Sequence, residues 1–317
     1  MRSSKSRSFT LDDRWVLAHR GSRNEVDPAR PYAYFVERER TSTGEVVDVA
    51  SIFITNKECP FRCVMCDLWK NTTIQPSVVG AVPDQIEWAL ERLPPVKHVK
   101  LYNSGNFFDA RAIPRDDWPR IIALVSELES VIIECHPRLV DERAEEFAHM
   151  LEPELQVAMG LETVDPAVLP RLNKRMTLQD YETAAELLLA AGISVRAFIL
   201  LKTPFQNEQQ GVDWAKRSLD YAFSIGVDCC VVIPTRPGNG AMERLASQGL
   251  FTPPAMRSVE RVLEYGVGLG PGRTFADLWD IEKLLQCPTC AVARRERLAK
   301  MNLTQVPSPP IDCDCGT

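Results

Sequence analysis

Six short segments rich in β-branched residues alternate with amphipathic helix patterns through the middle of this chain. The segments cover 46–54, 99–102, 131–135, 155–161, 194–201 and 227–233. Each is apolar enough to be buried on both faces, which is typical of strands in a parallel sheet. Strands that alternate with helices form right-handed crossovers, and a curled sheet of this kind makes an open barrel. The pattern predicts an α/β fold, a partial (βα)6 TIM-like barrel, over residues 45–240, with an N-terminal extension (1–44) and a small cysteine-bearing C-terminal extension (241–317).

Three cysteines directly follow the first predicted strand, in the spacing CxxxCxxC. Cys59, Cys63 and Cys66 would supply three thiolates, the usual ligands of iron–sulfur clusters. A [4Fe–4S] cluster has four irons, so three cysteines leave one iron open. That iron can bind the amino and carboxylate groups of S-adenosylmethionine (SAM). Three reduced thiols, or three ligands of a zinc knuckle, are the alternative interpretations.

Further candidate residues lie in loops that follow other predicted strands, where ligands bind in parallel α/β folds. Asn103, Ser104 and Gly105 follow the second strand, and Gly105 would let the backbone approach a ligand closely. Glu162 ends the fourth strand, where its carboxylate could accept two ribose hydroxyls or form a structural salt bridge. Lys202 follows the fifth strand and could bind the SAM carboxylate, an anionic substrate or a surface acid.

The array of six βα units with CxxxCxxC after its first strand resembles the radical SAM superfamily. That resemblance implies that Cys59, Cys63 and Cys66 bind a [4Fe–4S] cluster. It further implies reductive cleavage of SAM to a 5′-deoxyadenosyl radical, which abstracts hydrogen from a substrate. Met65 would then pack near the adenine of SAM, and Glu162 would contact its ribose or methionine moiety.

The second-strand loop departs from the superfamily pattern. The resemblance implies a Gly-Gly-Glu-like motif there, whose backbone carbonyls hold the amino group of SAM. This chain has Asn103-Ser104-Gly105-Asn106 instead, with no glutamate. The resemblance therefore implies SAM contacts from Asn103, Ser104 and Gly105, but it does not define their side-chain roles.

Three stretches resemble the elongator/methylthiotransferase-related branch of the superfamily: 102–109, 160–166 and 172–177. Within that branch the chain is similar to the radical SAM subunit of archaeosine synthase. That family converts a lysine-modified deazaguanine base in tRNA by radical C–N cleavage. The N-terminal extension and the stretch 236–240 are similar to a separate bacterial-type subgroup. The resemblance implies tRNA as one alternative substrate.

Four more cysteines near the end of the chain form a second candidate metal site. Cys287 and Cys290 form a CxxC pair, and Cys313 and Cys315 form a CxC pair. Four thiolates suit structural zinc or a second iron–sulfur cluster. Free thiols in a C-terminal tail are the simpler alternative. If both cysteine sets only bind metal, the protein would be a non-catalytic zinc or electron-transfer protein.

Composition narrows the choice of partners and compartment. The 317 residues carry a net charge of −6, which argues against a generally basic nucleic-acid surface. The basic start, residues 1–8, lacks the apolar region of an export signal, and ten cysteines without such a signal indicate reduced thiols. We expect a cytoplasmic enzyme without a membrane span. Its expected partners are SAM, an electron donor such as flavodoxin or ferredoxin, and an unidentified substrate.

Overall fold

A computed structural model describes residues 11–315, so the basic segment 1–8 lies outside the described residues. These residues form an eight-stranded sheet whose strands are neighbours in chain order. The first pair is antiparallel and the other pairs are parallel. The strands are β1 (Ala33–Arg40), β2 (Val46–Phe53), β3 (His98–Tyr102), β4 (Ser130–Glu134), β5 (Glu154–Glu162), β6 (Ser194–Leu201), β7 (Cys229–Pro234) and β8 (Arg273–Ala276).

Helices connect the parallel strands and cover the outer face of the sheet. A capping box of Thr177 and Asp180 begins the helix Leu178–Ala190, and Asp141 caps the helix Glu142–Met150. The α-helices are α1 (Asp13–His19), α2 (Ala81–Leu90), α3 (Trp118–Val125), α4 (Glu142–Met150), α5 (Leu178–Ala190), α6 (Glu208–Ser224), α7 (Ala241–Ser247), α8 (Met256–Leu269) and α9 (Ala291–Thr304). Within residues 11–315, no helix is long and apolar enough to cross a membrane.

The six predicted strands are confirmed as β2 to β7, and the α/β barrel prediction is confirmed with them. The sheet is curled, because Arg196 on β6 forms an ion pair with Glu39 on β1, five strands away. At the other edge, Arg273 on β8 donates to the carbonyl of Arg40 on β1, at 3.0 Å. The first and last strands therefore face each other.

Strand β1 was not predicted because two of its inward side chains, Glu37 and Glu39, are acids. Glu39 lies 2.5 Å from the ammonium of Lys100 and also pairs with Arg196. Lys100 and Arg196 are buried, and these two cations hold the pKa of Glu39 well below its usual range despite burial. Buried charges persist when they are paired in this way. We call Glu37, Glu39, Lys100 and Arg196 the ionic layer. Its charged side chains stand where a buried strand usually carries apolar residues.

Helix α8 includes the first glycines of the stretch 266–272 and continues to Leu269. Gly266 is buried within α8, and a Cβ there would lie 2.5 Å from the side chain of Thr274 on β8. Glycine at this position permits close packing of a helix on a strand rather than a turn. Strand β8 and helix α9 were also not predicted, because β8 has only four residues and arginine and lysine residues interrupt the apolar residues of α9.

Candidate active site

The cysteine loop lies against the loop that follows β3. Asn106 donates its side-chain N–H to the sulfur of Cys59 at 2.9 Å, and its carbonyl oxygen accepts from the backbone N–H of His136 at 2.7 Å. Gly105 also faces Cys59, because a Cβ on Gly105 would lie 2.8 Å from Cys59 Cβ and 3.1 Å from its sulfur. The fold therefore brings together the loops after β2, β3 and β4. No role was predicted for Asn106.

A buried ion pair borders the same loop. Lys174 donates to Glu162 at 2.7 Å, and both side chains are buried. The ammonium of Lys174 also acts electrostatically on Cys59 and Cys63. Glu162 has a left-handed backbone conformation, with φ of 64° where β5 ends. Lys174 therefore interacts both with Glu162 and with the cysteine loop. Glu162 was a predicted site residue, whereas Lys174 was not.

The N-terminal extension clamps the cysteine loop from outside. Glu58, which precedes Cys59, forms ion pairs with Arg20 at 2.5 Å, with Arg62 at 3.1 Å and with Arg23. Arg20 and Arg23 therefore hold the part of the chain that precedes β1 against the cysteine loop. These guanidinium groups lower the pKa of Glu58 below its usual value, although its burial acts in the opposite direction.

Two other loops fasten the backbone between the cysteines. Asn239, after β7, donates to the carbonyl oxygens of Val64 at 2.7 Å and Cys66 at 3.0 Å. The backbone N–H of Val64 donates to the carbonyl of Leu172, after β5, at 2.9 Å. The cysteine loop is therefore held by residues from several strand ends.

The three loop cysteines are thiols that burial keeps from ionising. Burial raises the pKa of Cys59 to about 11 and the pKa values of Cys63 and Cys66 to about 12. Lys174 opposes this effect at Cys59 and Cys63 because its positive charge favours the thiolate. A metal ion has the same effect more strongly, since it replaces the thiol proton.

Glu134, at the end of β4, supports the loop after β3, which contains Asn103-Ser104-Gly105-Asn106 in place of a Gly-Gly-Glu-like motif. Its carboxylate accepts the backbone N–H of Ser104 at 2.8 Å, and the N–H groups of Asn103 and Gly105 also point to it. Burial raises the pKa of Glu134 to about 7, although these N–H groups favour the charged form. Sequence reasoning missed Glu134; its place as the last residue of an apolar strand was the available signal.

The loop after β3 also offers polar groups without a protein partner. Asn103 is fully buried, and neither its side-chain oxygen nor its nitrogen has a partner among the described residues. A buried amide without partners is costly unless a ligand satisfies it. This amide, the close Gly105–Cys59 approach and the three thiols fit a [4Fe–4S] cluster with a polar ligand beside it.

His136 forms a neutral wall of the site. Its ring stacks on Phe61 at 3.6 Å between centroids, its Nε2 donates to the carbonyl of Lys174 and its Nδ1 accepts from the backbone of Arg138. Burial and the nearby charge of Lys174 lower the pKa of His136 to about 2. An imidazole held neutral in this way supports the loop through stacking and hydrogen bonds.

Two predicted cofactor residues have contacts elsewhere. Lys202 donates to Glu208 at 2.6 Å, to the hydroxyl of Thr252 and to the carbonyl of Pro253, so its three hydrogens are directed at protein acceptors. Met65 packs against a small apolar cluster that includes residues of α1 and α7. Their roles in SAM binding stay predictions.

A layer of aromatic rings lines the inner face of the barrel. Along β3 and β6 it lies two residues beyond the ionic layer, toward the carboxyl end of the barrel. Tyr102 follows Lys100 on the inner face of β3, and Phe198 follows Arg196 on β6. The rings of Tyr102 and Phe198 lie 6.3 Å apart. The other members are Phe35, Phe53 and Trp279. We call these five residues the aromatic layer.

The aromatic layer is open to solvent in part. Trp279 is 53% exposed while it stacks on Phe35 at 5.6 Å, and Phe53 is half-buried beside both rings. Exposed aromatic faces inside a barrel mouth can bind an apolar or planar molecule. The barrel thus exposes part of this aromatic surface at its carboxyl end, where the cysteine loop also lies.

A family model describing the radical SAM superfamily matches residues 53–217, about half of the chain. The chain therefore belongs to the radical SAM superfamily. The archaeosine synthase subunit beta of Methanosarcina acetivorans is 26% identical over 271 residues, which cover 80% of this chain and 77% of that protein. The subunit of the same name from Thermococcus kodakarensis is 29% identical over 213 residues, covering 63% of this chain and 65% of that protein.

A solved structure has the same fold over nearly the whole chain. Methylornithine synthase matches with a TM-score of 0.52 and 12% identity, covering 96% of this chain and 85% of that one. At this identity the likeness shows the fold alone. The predicted likenesses to the radical SAM superfamily and to the archaeosine synthase subunit are confirmed.

Replacing Gly105 by alanine tests the close approach of the two loops. The added Cβ would lie within 3.1 Å of the Cys59 sulfur, and φ at this position is 148°, which disfavours a side chain. We expect the iron bound after anaerobic reconstitution to fall severalfold. Gly21→Ala is the matched control, because no described atom lies within 4 Å of a Cβ there. Equal iron in both variants would contradict the proposed packing.

The raised pKa of Glu134 predicts how stability depends on pH. The native state holds a proton on Glu134 between the ordinary pKa of 4.5 and about 7, whereas the unfolded state has lost it. The contribution is complete below the ordinary pKa and is lost as the pH rises through about 7. Urea unfolding of the cluster-free protein, from about pH 5 to 8, should therefore show wild type losing stability relative to Glu134→Gln. A difference that stays constant across this pH range would contradict the assignment. Glu127→Gln, on the exposed surface, is the control for the substitution itself.

Proposed function

We propose that this protein is a radical SAM enzyme that binds a [4Fe–4S] cluster through Cys59, Cys63 and Cys66. Family membership supports the proposal. The observation that carries it is the packing of Gly105 and Asn106 on Cys59, which joins the cluster loop to the loop with the unsatisfied amide. When bound, the cluster would supply the electron that cleaves SAM into methionine and a 5′-deoxyadenosyl radical.

The residues around the cysteine loop would bind SAM, orient it and the cysteines, and exclude water. Asn106 would orient Cys59 through its N–H, and Lys174 would offset the negative charge of bound thiolates. Asn103 would satisfy its amide on a polar group of SAM, with Glu134 holding the backbone that presents it. Glu162 would accept hydroxyl groups while it stays paired with Lys174. A flavodoxin or ferredoxin is the proposed electron donor.

Cysteine replacements test the cluster assignment directly. Cys63→Ser should abolish iron binding at the loop and leave a folded barrel, because the serine hydroxyl is a poor ligand for iron. Cys230→Ala is the matched control, since Cys230 is buried on β7 in the hydrophobic core. Iron content and the electron paramagnetic resonance signal of the reduced protein, with and without SAM, provide the readout. A normal signal in Cys63→Ser, or none in the reconstituted wild type, would contradict the proposal.

A tRNA base is the substrate class that we propose for this site. The names of two relatives support it, and so does the aromatic layer, because unstacked bases bind on aromatic faces. Trp279 and Phe35 offer a stacked pair with one exposed ring. The net charge of −6 does not favour RNA overall, so local cations would have to contact the phosphates. A small planar substrate is the competing possibility.

Binding of tRNA distinguishes these substrates. We expect retarded tRNA mobility that weakens with added salt, and about tenfold weaker binding for Trp279→Ala, as base stacking contributes ~1–3 kcal/mol. Trp214→Ala is the control, because Trp214 lies on helix α6 and not in the aromatic layer. If tRNA does not bind, or if both variants bind equally well, the tRNA proposal is wrong.

A further inference from the structure

Four cysteine sulfurs meet at the C-terminal end of the described chain. Cys287 and Cys290 lie just before α9, and Cys313 and Cys315 return to them after the chain has passed along that helix. The four sulfurs all lie within 4.8 Å of one another. The sulfurs of Cys287 and Cys313 are 3.9 Å apart, and those of Cys290 and Cys315 are 3.6 Å apart.

These spacings discriminate between one metal ion and a cluster. Zinc–sulfur bonds of about 2.3 Å in a tetrahedron place neighbouring sulfurs about 3.8 Å apart. In a [4Fe–4S] cluster each thiolate binds a different iron, so the sulfurs lie outside a four-iron core and much further apart. Of the cysteines in residues 11–315, those in the loop at 59–66 do not form such a compact group. The C-terminal set has the dimensions of a single-ion site.

The surroundings of the four sulfurs also fit a metal–thiolate centre. The backbone N–H groups of Thr289 and Cys290 point at the sulfur of Cys287, as in a turn that presents a thiolate to a metal. Arg294, which is 2% exposed, donates from Nε to the sulfur of Cys290 at 3.2 Å. A zinc ion with four thiolates carries a net negative charge, and a buried guanidinium beside it offsets that charge.

Arg294 connects this group of sulfurs to helix α8. Its guanidinium pairs with Glu260, and Arg297, one turn later on α9, pairs with Glu260 and with Glu264. Arg297 also donates to the carbonyl of Pro309, and Arg257 on α8 donates to the carbonyl of Cys313 at 2.7 Å. A metal here would fasten the returning tail to α8 and α9.

We propose that Cys287, Cys290, Cys313 and Cys315 bind one zinc ion in a tetrahedral four-thiolate site that locks the C-terminal segment onto the barrel. Zinc has no redox chemistry, and four protein ligands leave it no open position, so its role is structural. Binding replaces the four thiol protons with the metal and needs no electron. The proposal is independent of the cluster loop and of SAM.

Metal analysis of four proteins tests the proposal. The proteins are wild type, Cys290→Ala/Cys315→Ala, the triple variant Cys59→Ala/Cys63→Ala/Cys66→Ala, and Cys230→Ala as the core-cysteine control. After purification in air we expect about one zinc per chain in all but the double variant. Anaerobic reconstitution should then add about four irons to wild type and none to the triple variant. About eight irons in wild type, iron in the triple variant, or zinc retained by the double variant would overturn the proposal.

A measurement that leaves Cys287, Cys290, Cys313 and Cys315 intact guards against a double variant that fails to fold. Stepwise capping of thiols with a mercurial reagent should release one zinc from the wild type and from the triple variant. Replacement of zinc by cobalt should give the intense visible absorption of tetrahedral cobalt–thiolate sites in both. A chelator should then lower the melting temperature of both proteins. Absence of released zinc, a chelator without effect, or an octahedral cobalt spectrum would overturn the assignment.

Discussion

One side-chain amide joins three loops of the candidate active site. Asn106 donates to the sulfur of Cys59 and accepts from the backbone of His136, so it joins the loops after β2, β3 and β4. Parallel strands end at the same edge of a sheet, which makes such a bridge possible. Gly105 completes the contact, because a larger residue would collide with Cys59. The cysteine loop thus packs against the loop that follows β3.

Buried ion pairs lie at two levels of this barrel, in its interior and at its carboxyl edge. The ionic layer of Glu37, Glu39, Lys100 and Arg196 fills the interior beneath the aromatic layer. At the carboxyl edge, Lys174 is shared between Glu162 and the cysteine loop. The cations Lys100, Arg196 and Lys174 are buried and each is paired with an acid, which satisfies charges that would otherwise be costly. The aromatic layer keeps part of its surface exposed, chiefly on Trp279.

Local patterns predicted much of this arrangement. Apolar runs identified β2 to β7, and the position of each loop after a strand identified Cys59, Gly105 and Glu162. What escaped prediction depends on contacts between distant segments. Strand β1 carries acids whose partners lie on β3 and β6, and Lys174 and Glu134 acquire roles only when loops from different strands meet. No local pattern records such pairings.

We propose above that this chain binds a [4Fe–4S] cluster and cleaves SAM. The first experiment is to reconstitute the protein anaerobically with iron and sulfide, reduce it with dithionite, add SAM and assay 5′-deoxyadenosine. We expect 5′-deoxyadenosine from the wild type and none from Cys63→Ser. A colourless, zinc-bound wild type that leaves SAM intact would rule out the proposed enzyme and favour a non-catalytic metal protein.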